Sequence, residues 1–271
     1  MTTSPAAAIP AWTASRLRSW LSVRHSLRSE AAAVLVMYGL YELARGLVVG
    51  DTADAHRHGL QLVALERSLH LFREANVQHA AHALPGLTSL LGTAYLTLHL
   101  AVTAGVLLWL HQRRPTAFPF VRTTLLLASG LALVGFLVYP TTPPRLADIG
   151  IADTVSNSHV DLNTGLVSSL YNPYAAVPSM HIGYALIVAA SLFHHGRHRV
   201  VRTLGTLYPP FVLLVVVATG NHFFVDAAAG ALVAGLAATA AAFLTRRVAS
   251  SRINELPTRP ESLPAFEELA A

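Results

Sequence analysis

The chain of 271 residues contains neither cysteine nor lysine. Without cysteine there are no disulfides and no thiolate metal sites, and nothing in the sequence reports a redox compartment. Charge is scarce as well: 12% of the residues are charged and 53% hydrophobic, where a soluble domain carries about a quarter charged residues. The length alone would permit one or two soluble domains. The shortage of polar sequence excludes them and turns the apolar surface toward lipid. All 19 basic side chains are arginines, giving a net charge of +5. Such a balance suits a nucleic-acid partner, but these arginines fall in short clusters between apolar runs, the pattern that encodes membrane topology. No nucleic-acid partner is expected.

What is present is a series of apolar runs. A spanning helix needs about 20 mostly apolar residues, and six segments approach that length, at about 31–49, 88–110, 119–139, 179–194, 204–220 and 223–244. The fourth and fifth are short, and Pro209–Pro210 interrupts the fifth. The first carries Glu42 and Arg45, spaced to pair on one helical face and expected to face the protein interior. Between the first two spans, Leu60, Val63, Leu65, Leu69, Leu71 and Phe72 alternate with Glu66, Arg67, Arg73 and Glu74. This stretch reads as one or two helices lying at the membrane surface, with His70, His79 and His82 as surface histidines rather than metal ligands. The fold class is therefore all-α, a polytopic membrane protein of six helices with an interfacial helical segment after the first.

Residues 1–30 form an N-terminal tail without the apolar core of a cleaved signal. Trp12, Trp20 and Leu21 suit a surface-lying amphipathic segment, and a disordered tail fits equally well. Residues 31–245 form the membrane domain, and 246–271 a polar tail, acidic at its end (Glu261, Glu267, Glu268). If the N-terminus is cytoplasmic, alternate loops place fourteen arginines inside and four outside, with Arg45 in the first span. By the positive-inside rule both termini are cytoplasmic, in a multi-pass protein of the cell membrane.

Three patches are polar where the hydropathy pattern would have them bland: Tyr139-Pro-Thr-Thr-Pro-Pro-Arg145-Leu146, Asn172-Pro-Tyr-Ala-Ala-Val-Pro-Ser179-Met-His181, and Thr219-Gly-Asn-His222-Phe-Phe-Val-Asp226. On the six-span topology all three lie at the outer ends of their helices. His222 and Asp226 are four apart, so on a helix the carboxylate lies one turn below the imidazole. There it would fix the tautomer and strengthen the other ring nitrogen as base or nucleophile. Pro178-Ser179 reads as a helix start, where backbone N–H groups favour an anion and His181 stands in the first turn. Arg145 offers a planar fork suited to phosphate oxygens, and Ser179 and Asn172 are further candidates for oxygen contacts. Together these residues form one candidate phosphate-handling site on the extracytoplasmic face. The loop 147–171, with Asp148, Asp153 and Asp161, reads equally as a cover over a headgroup or as a plain connector.

These motifs resemble the type 2 phosphatidic acid phosphatase superfamily, which shares its active-site plan with the vanadium haloperoxidases. Within it they are similar to the branch of inositol phosphorylceramide synthases and their bacterial relatives. The carrying residues are Pro-Pro-Arg145, Asn172-Pro-Tyr-x-x-x-Pro-Ser-x-His181 and Gly-Asn-His222-x-x-x-Asp226, joined by Leu65-Glu-Arg67 with Phe72 and Glu74. The resemblance spans most of residues 35–240. It implies a lipid phosphate or phospholipid substrate. It also implies His222 as nucleophile forming a phosphohistidine, Asp226 orienting it, His181 as acid and then base, and Arg145 on the phosphoryl oxygens. No metal or other cofactor is implied. The departures are specific. The phosphatase pattern has a lysine six residues before an Arg-Pro pair, and a Ser-Arg pair six to seven residues before the second histidine. Here there is no lysine, and Val215 and Val216 stand at the Ser-Arg positions. Phosphate binding is then short of cations unless Arg45 or a loop residue compensates. The loss fits the synthase-like branch, so phosphotransfer is the leading expectation, hydrolysis the alternative, and a non-catalytic lipid-binding or transport protein the second alternative.

Overall fold

A computed structural model describes residues 24–47, 52–154 and 172–254. The expectations for Trp12, Trp20, Leu21, Asp161 and the acidic C-terminal residues fall outside that range. The described residues form eight α-helices and no strand: α1 (Leu27–Leu47), α2 (Thr52–Ser68), α3 (Glu74–His82), α4 (Leu87–Arg113), α5 (Phe118–Val138), α6 (Met180–His195), α7 (Arg199–Ala218) and α8 (Phe224–Asn254). The protein is all-α. A 3₁₀ turn at Pro144–Leu146 and one isolated bridge, Thr141 to Ala175, join the loops at one end.

Among the described residues, four helices are long and apolar enough to cross a membrane: Leu87–Arg113, Phe118–Val138, Arg199–Ala218 and the Phe224–Thr245 part of α8. The other two expected spans are helical but differ in character. α1 carries Arg28, Glu30, Glu42 and Arg45 within 21 residues. α6 has 16 residues, about 24 Å of helix at 1.5 Å per residue, against a hydrocarbon core of about 30 Å. α7 runs unbroken through Pro209–Pro210. Two prolines remove only two N–H donors, and a helix packed among others in an apolar setting tolerates that loss. The tail expected from 246 begins as helix, since α8 continues to Asn254.

α6 is the centre, packed on α4, α5, α7 and α8. One core joins α1, α4, α5, α6 and α8 around Phe118, Leu125, Phe136, Tyr184 and Val188. A second joins α3, α4, α6 and α7 around Leu91, Tyr95 and Val212–Val217. Many large apolar side chains face outward, among them Leu35, Leu90, Leu137, Val138, Leu204 and Leu232. So much exposed apolar surface would be insoluble in water and is at home in lipid.

The expected interfacial segment is two helices, α2 and α3. His79 and His82 of α3 and His70 of the turn between the two helices are exposed, as surface histidines should be. Two of the acids are not: Glu66 and Glu74 are buried, as is the neighbouring Gln78.

The two ends of the bundle differ in chemistry. At one end Arg122 of α5 pairs with Glu30 of α1, both fully buried. There too Arg24 donates to the His111 carbonyl and Arg114 to the His195 carbonyl. The opposite end gathers the three polar motifs.

Candidate active site

The three motifs meet through their backbones. The Arg145 N–H donates to the Gly220 carbonyl at 2.9 Å, Thr141 N–H to Tyr174 O at 2.7 Å, and Ser179 N–H to Asp226 O at 3.0 Å. Gly220 is required at its turn. Its φ is +68°, and a Cβ there would meet the Ile151 and Arg145 side chains. α2 adds a fourth wall: Thr142 N–H donates to Ala55 O at 3.0 Å, and His58 stacks on Tyr139 with Nδ1 2.7 Å from the Pro140 carbonyl.

His222 lies two residues before α8, not within it. The spacing of four still joins it to Asp226, but through the helix cap. Asp226 is the third residue of α8, and its Oδ2 accepts the Phe223 N–H at 2.9 Å, as the acid of a capping box does. The same oxygen lies 3.3 Å from His222 Nδ1. Asp226 is completely buried, so the carboxylate holds the imidazole from behind and leaves Nε2 facing away. The next two donors of the helix end go to α2 and α3. Val225 N–H donates to Glu66 Oε1 at 2.7 Å and Phe224 N–H to Glu74 Oε1 at 3.3 Å. A helix N-terminus presents unsatisfied N–H groups and a partial positive charge. Three carboxyl groups meet it here. Burial holds the Glu66 carboxyl up at about 9, and the neighbouring Glu74 carboxyl acts in the same direction, against the Val225 N–H bond that favours the charged form.

His181 is the second residue of α6. Ser179 precedes the helix as its cap residue and Pro178 stands one position earlier, so the helix start predicted at Pro178-Ser179 is found with proline just outside it. The His181 ring centroid lies 5.6 Å from that of His222, 4.5 Å from Tyr95 and 4.2 Å from His99. Its Nε2 is buried without a hydrogen-bond partner among the described residues. Both histidines line a narrow pocket of about 50 Å³, with Asn172, Asn221, Tyr41 and Arg45 also on its wall. A second cavity, about 660 Å³ and almost wholly apolar, opens between α1, α4 and α5 and shares Tyr38, Tyr41 and Tyr184 with the first.

The remaining expected residues stand close by with other partners. Asn172 donates from Nδ2 to the Arg45 carbonyl at 2.9 Å, and its Oδ1 accepts the Tyr174 N–H. Arg145 is buried behind the wall: Nε donates to Asn221 Oδ1 at 3.0 Å and Nη1 pairs with Asp153. Ser179 is fully buried and also lies behind the wall, its carbonyl accepting the Gly183 N–H. Groups of three or more metal-ligating side chains are absent among the described residues.

A family model described as the PAP2 superfamily matches residues 60–240, which include every one of these motifs. The chain belongs to the PAP2 superfamily. Membership points to phosphatase or phosphotransferase activity on lipid phosphates, which fits a chain whose motifs sit at one end of an apolar bundle. Neither the curated proteins nor the solved structures provide a match. Within this PAP2 protein, Tyr95 and His99 are site neighbours outside the motifs, while Glu66 and Glu74 lie in a motif that gave no sign of their contact with the helix carrying Asp226. His99 had a signal of its own, as an ionisable residue within the apolar run of α4. Tyr95, four residues earlier, lies on the same helical face.

Proposed function

We propose that this PAP2 protein is a phosphotransferase that breaks and remakes a phosphoester on a lipid at the outer face of the cell membrane, through a phosphohistidine on His222. The observation that carries the reading is the pair of imidazoles 5.6 Å apart across one narrow pocket, with Asp226 bonded behind His222 alone. The two histidines are thereby given different tasks. Asp226 fixes the proton on His222 Nδ1, so Nε2 carries the lone pair that attacks phosphorus. The bond from phosphorus to the leaving oxygen breaks, and His181 delivers a proton to that oxygen from Nε2. In the second half His181 takes the proton of an incoming hydroxyl, whose oxygen attacks phosphorus, and the P–N bond breaks to restore His222. A lipid or polyol hydroxyl gives transfer, and water gives hydrolysis.

The apolar cavity beside the pocket supports a lipid substrate, since a chain lying between α1, α4 and α5 would bring its phosphate to the histidines past Tyr38 and Tyr41. The missing lysine and Ser-Arg pair favour the inositol phosphorylceramide synthase-like branch over the phosphatases. Arg145 reaches phosphoryl oxygens by exchanging Asp153 for them, and Asn172 and Ser179 shape the wall. No step requires a metal. The topology we propose has six spans with both termini in the cytoplasm.

His222→Ala should abolish turnover of phospholipid and polyprenyl phosphate by the purified chain, and labelled phosphate trapped on the wild type should be absent from the variant. His181→Ala should retain trapping yet turn over roughly 10²–10⁴-fold more slowly. Unchanged turnover in His222→Ala sinks the assignment. A substrate panel scored for free phosphate against a new phospholipid decides between hydrolysis and transfer.

A further inference from the structure

Among the described residues, Arg45 is the one arginine on the wall of the histidine pocket. It stands in the last turn of α1, its side chain about one-fifth exposed, with the Glu42 carboxylate 3.3 Å from Nη1. The first half of the Asn172-Pro-Tyr174 motif fixes it there, because the Asn172 amide donates to the Arg45 carbonyl at 2.9 Å. Asn172 is in turn held by the Tyr174 N–H, so α1 is clipped at this residue to the loop that leads into His181. The Arg145 guanidinium lies behind the wall, bonded to Asp153 and Asn221. Tyr41, one turn before Arg45, lines both the histidine pocket and the apolar cavity. The guanidinium therefore marks the place where a chain in the cavity would present its phosphate.

From these contacts we infer that Arg45 is a second cation for the phosphoryl oxygens of the substrate, acting from the pocket wall beside Arg145, with Glu42 as the counter-ion it leaves on binding. A transferring phosphoryl group carries charge on its equatorial oxygens, and a guanidinium offers two parallel donors to them. In a chain without lysine, an ionisable pair at the end of α1, on the wall of the histidine pocket, supplies a cation that the phosphatase pattern draws from elsewhere in the chain. Glu42 keeps the guanidinium neutralised while the pocket is open and holds it aimed along the wall. The inference rests on the reading of the pocket as a phosphoryl-transfer site and adds the residue that selects a phosphate.

The test uses the full chain in detergent, with orthovanadate as a phosphoryl mimic and turnover of a fluorescent phospholipid. Arg45→Ala should lose roughly 10²–10³-fold in kcat/KM and weaken vanadate inhibition by about tenfold or more. Arg45→Lys should recover part of both, because charge returns without the fork. Glu42→Gln should bind vanadate more tightly than the wild type. An Arg45→Ala protein whose vanadate inhibition and kcat/KM stay within about threefold of wild type overturns the assignment. If Arg45→Ala does not fold, Glu42→Gln and Arg45→Lys decide, and unchanged vanadate affinity in both overturns it. Turnover that survives His222→Ala defeats the phosphohistidine reading instead, and vanadate binding that still depends on Arg45 then stands on its own.

Discussion

Glu66 is a carboxyl group with no access to water, 2.7 Å from the backbone N–H of Val225 and beside a second buried acid, Glu74. Its pKa near 9 lies above the ordinary value of 4.5, so the folded chain keeps a proton that the unfolded chain releases. The sign follows directly. Below about pH 4.5 both states hold the proton and Glu66 contributes no pH dependence. Between about 4.5 and 9 the folded state holds more protons, and stability falls by up to about 1.4 kcal/mol per pH unit. Glu66→Gln retains an oxygen for Val225 and has nothing to titrate. Thermal unfolding in detergent should show the wild type losing stability from pH 5 to 9 and the variant losing less. Parallel curves would contradict the account. The sequence set Glu66 beside Arg67 in a matched stretch, but nothing local told the buried acid from the exposed arginine. The separating fact is the N-terminus of α8, more than 150 residues away, whose donors need acceptors once they are buried. By contrast His181, His222 and Asp226 were legible because their spacing is local: the cap of α8 and the first turn of α6 place them within a few residues of a helix start. Even so, Asp226 reaches His222 through a capping box and not along a helical face, a distinction that spacing alone does not make.

At the level of helices, the distance between the two histidines is set where α6 crosses α8. Gly183 and Gly230 face each other there: a Cβ on Gly183 would lie 3.3 Å from the Gly230 carbonyl, and one on Gly230 would strike the Ser179 carbonyl. That carbonyl belongs to the residue two before His181, and Ser179 N–H is bonded to Asp226 O. An added methyl would therefore push His181 away from His222. Gly230→Ala should destabilise the protein by roughly 1–3 kcal/mol, as overpacking does, and lower turnover further than the stability loss explains. Gly235→Ala, on the same helix with open space around its Cα, is the control. It should be neutral or stabilise by up to about 1 kcal/mol from helix propensity. Equal melting temperatures for the two variants would argue against the close crossing. Hydropathy located all six expected helices because apolar length is a property of each segment taken alone. It marked α6 as short, as found, but misjudged α7, which runs unbroken through Pro209–Pro210 over 20 residues. α6 is short because other helices enclose it, and α1 carries acids and arginines because it faces Arg122 at one end and the histidine pocket at the other.

For the molecule as a whole, the arginine distribution and the convergence of the motifs make separate statements about orientation that one experiment can join. Arg24, Arg114 and Arg122 gather at the end opposite the histidines, while α2 and α3, with Arg57 and Arg73, lie against the motif end. The positive-inside rule and the proposed topology together predict an extracytoplasmic histidine end. The absence of cysteine makes this testable without first removing native thiols. Single cysteines at the exposed positions Arg57 and Arg73 should react with a membrane-impermeant maleimide on intact cells. Cysteines at the exposed positions Arg113 and Arg197 should react only after the membrane is opened. The reverse pattern would put the site on the cytoplasmic face and exclude outer-leaflet substrates. Labelling of one member of each pair would break the alternation and with it the six-span count, because, with α5 crossing, Arg113 and Arg197 share a side only if α6 crosses as well. α6 is the demanding case, since 16 residues span the bilayer only with its polar ends at or inside the interfaces. The motif end of α6 carries His181, so a short sixth element of this kind would hold the histidines slightly below the membrane surface, where a lipid phosphate meets them without leaving the bilayer.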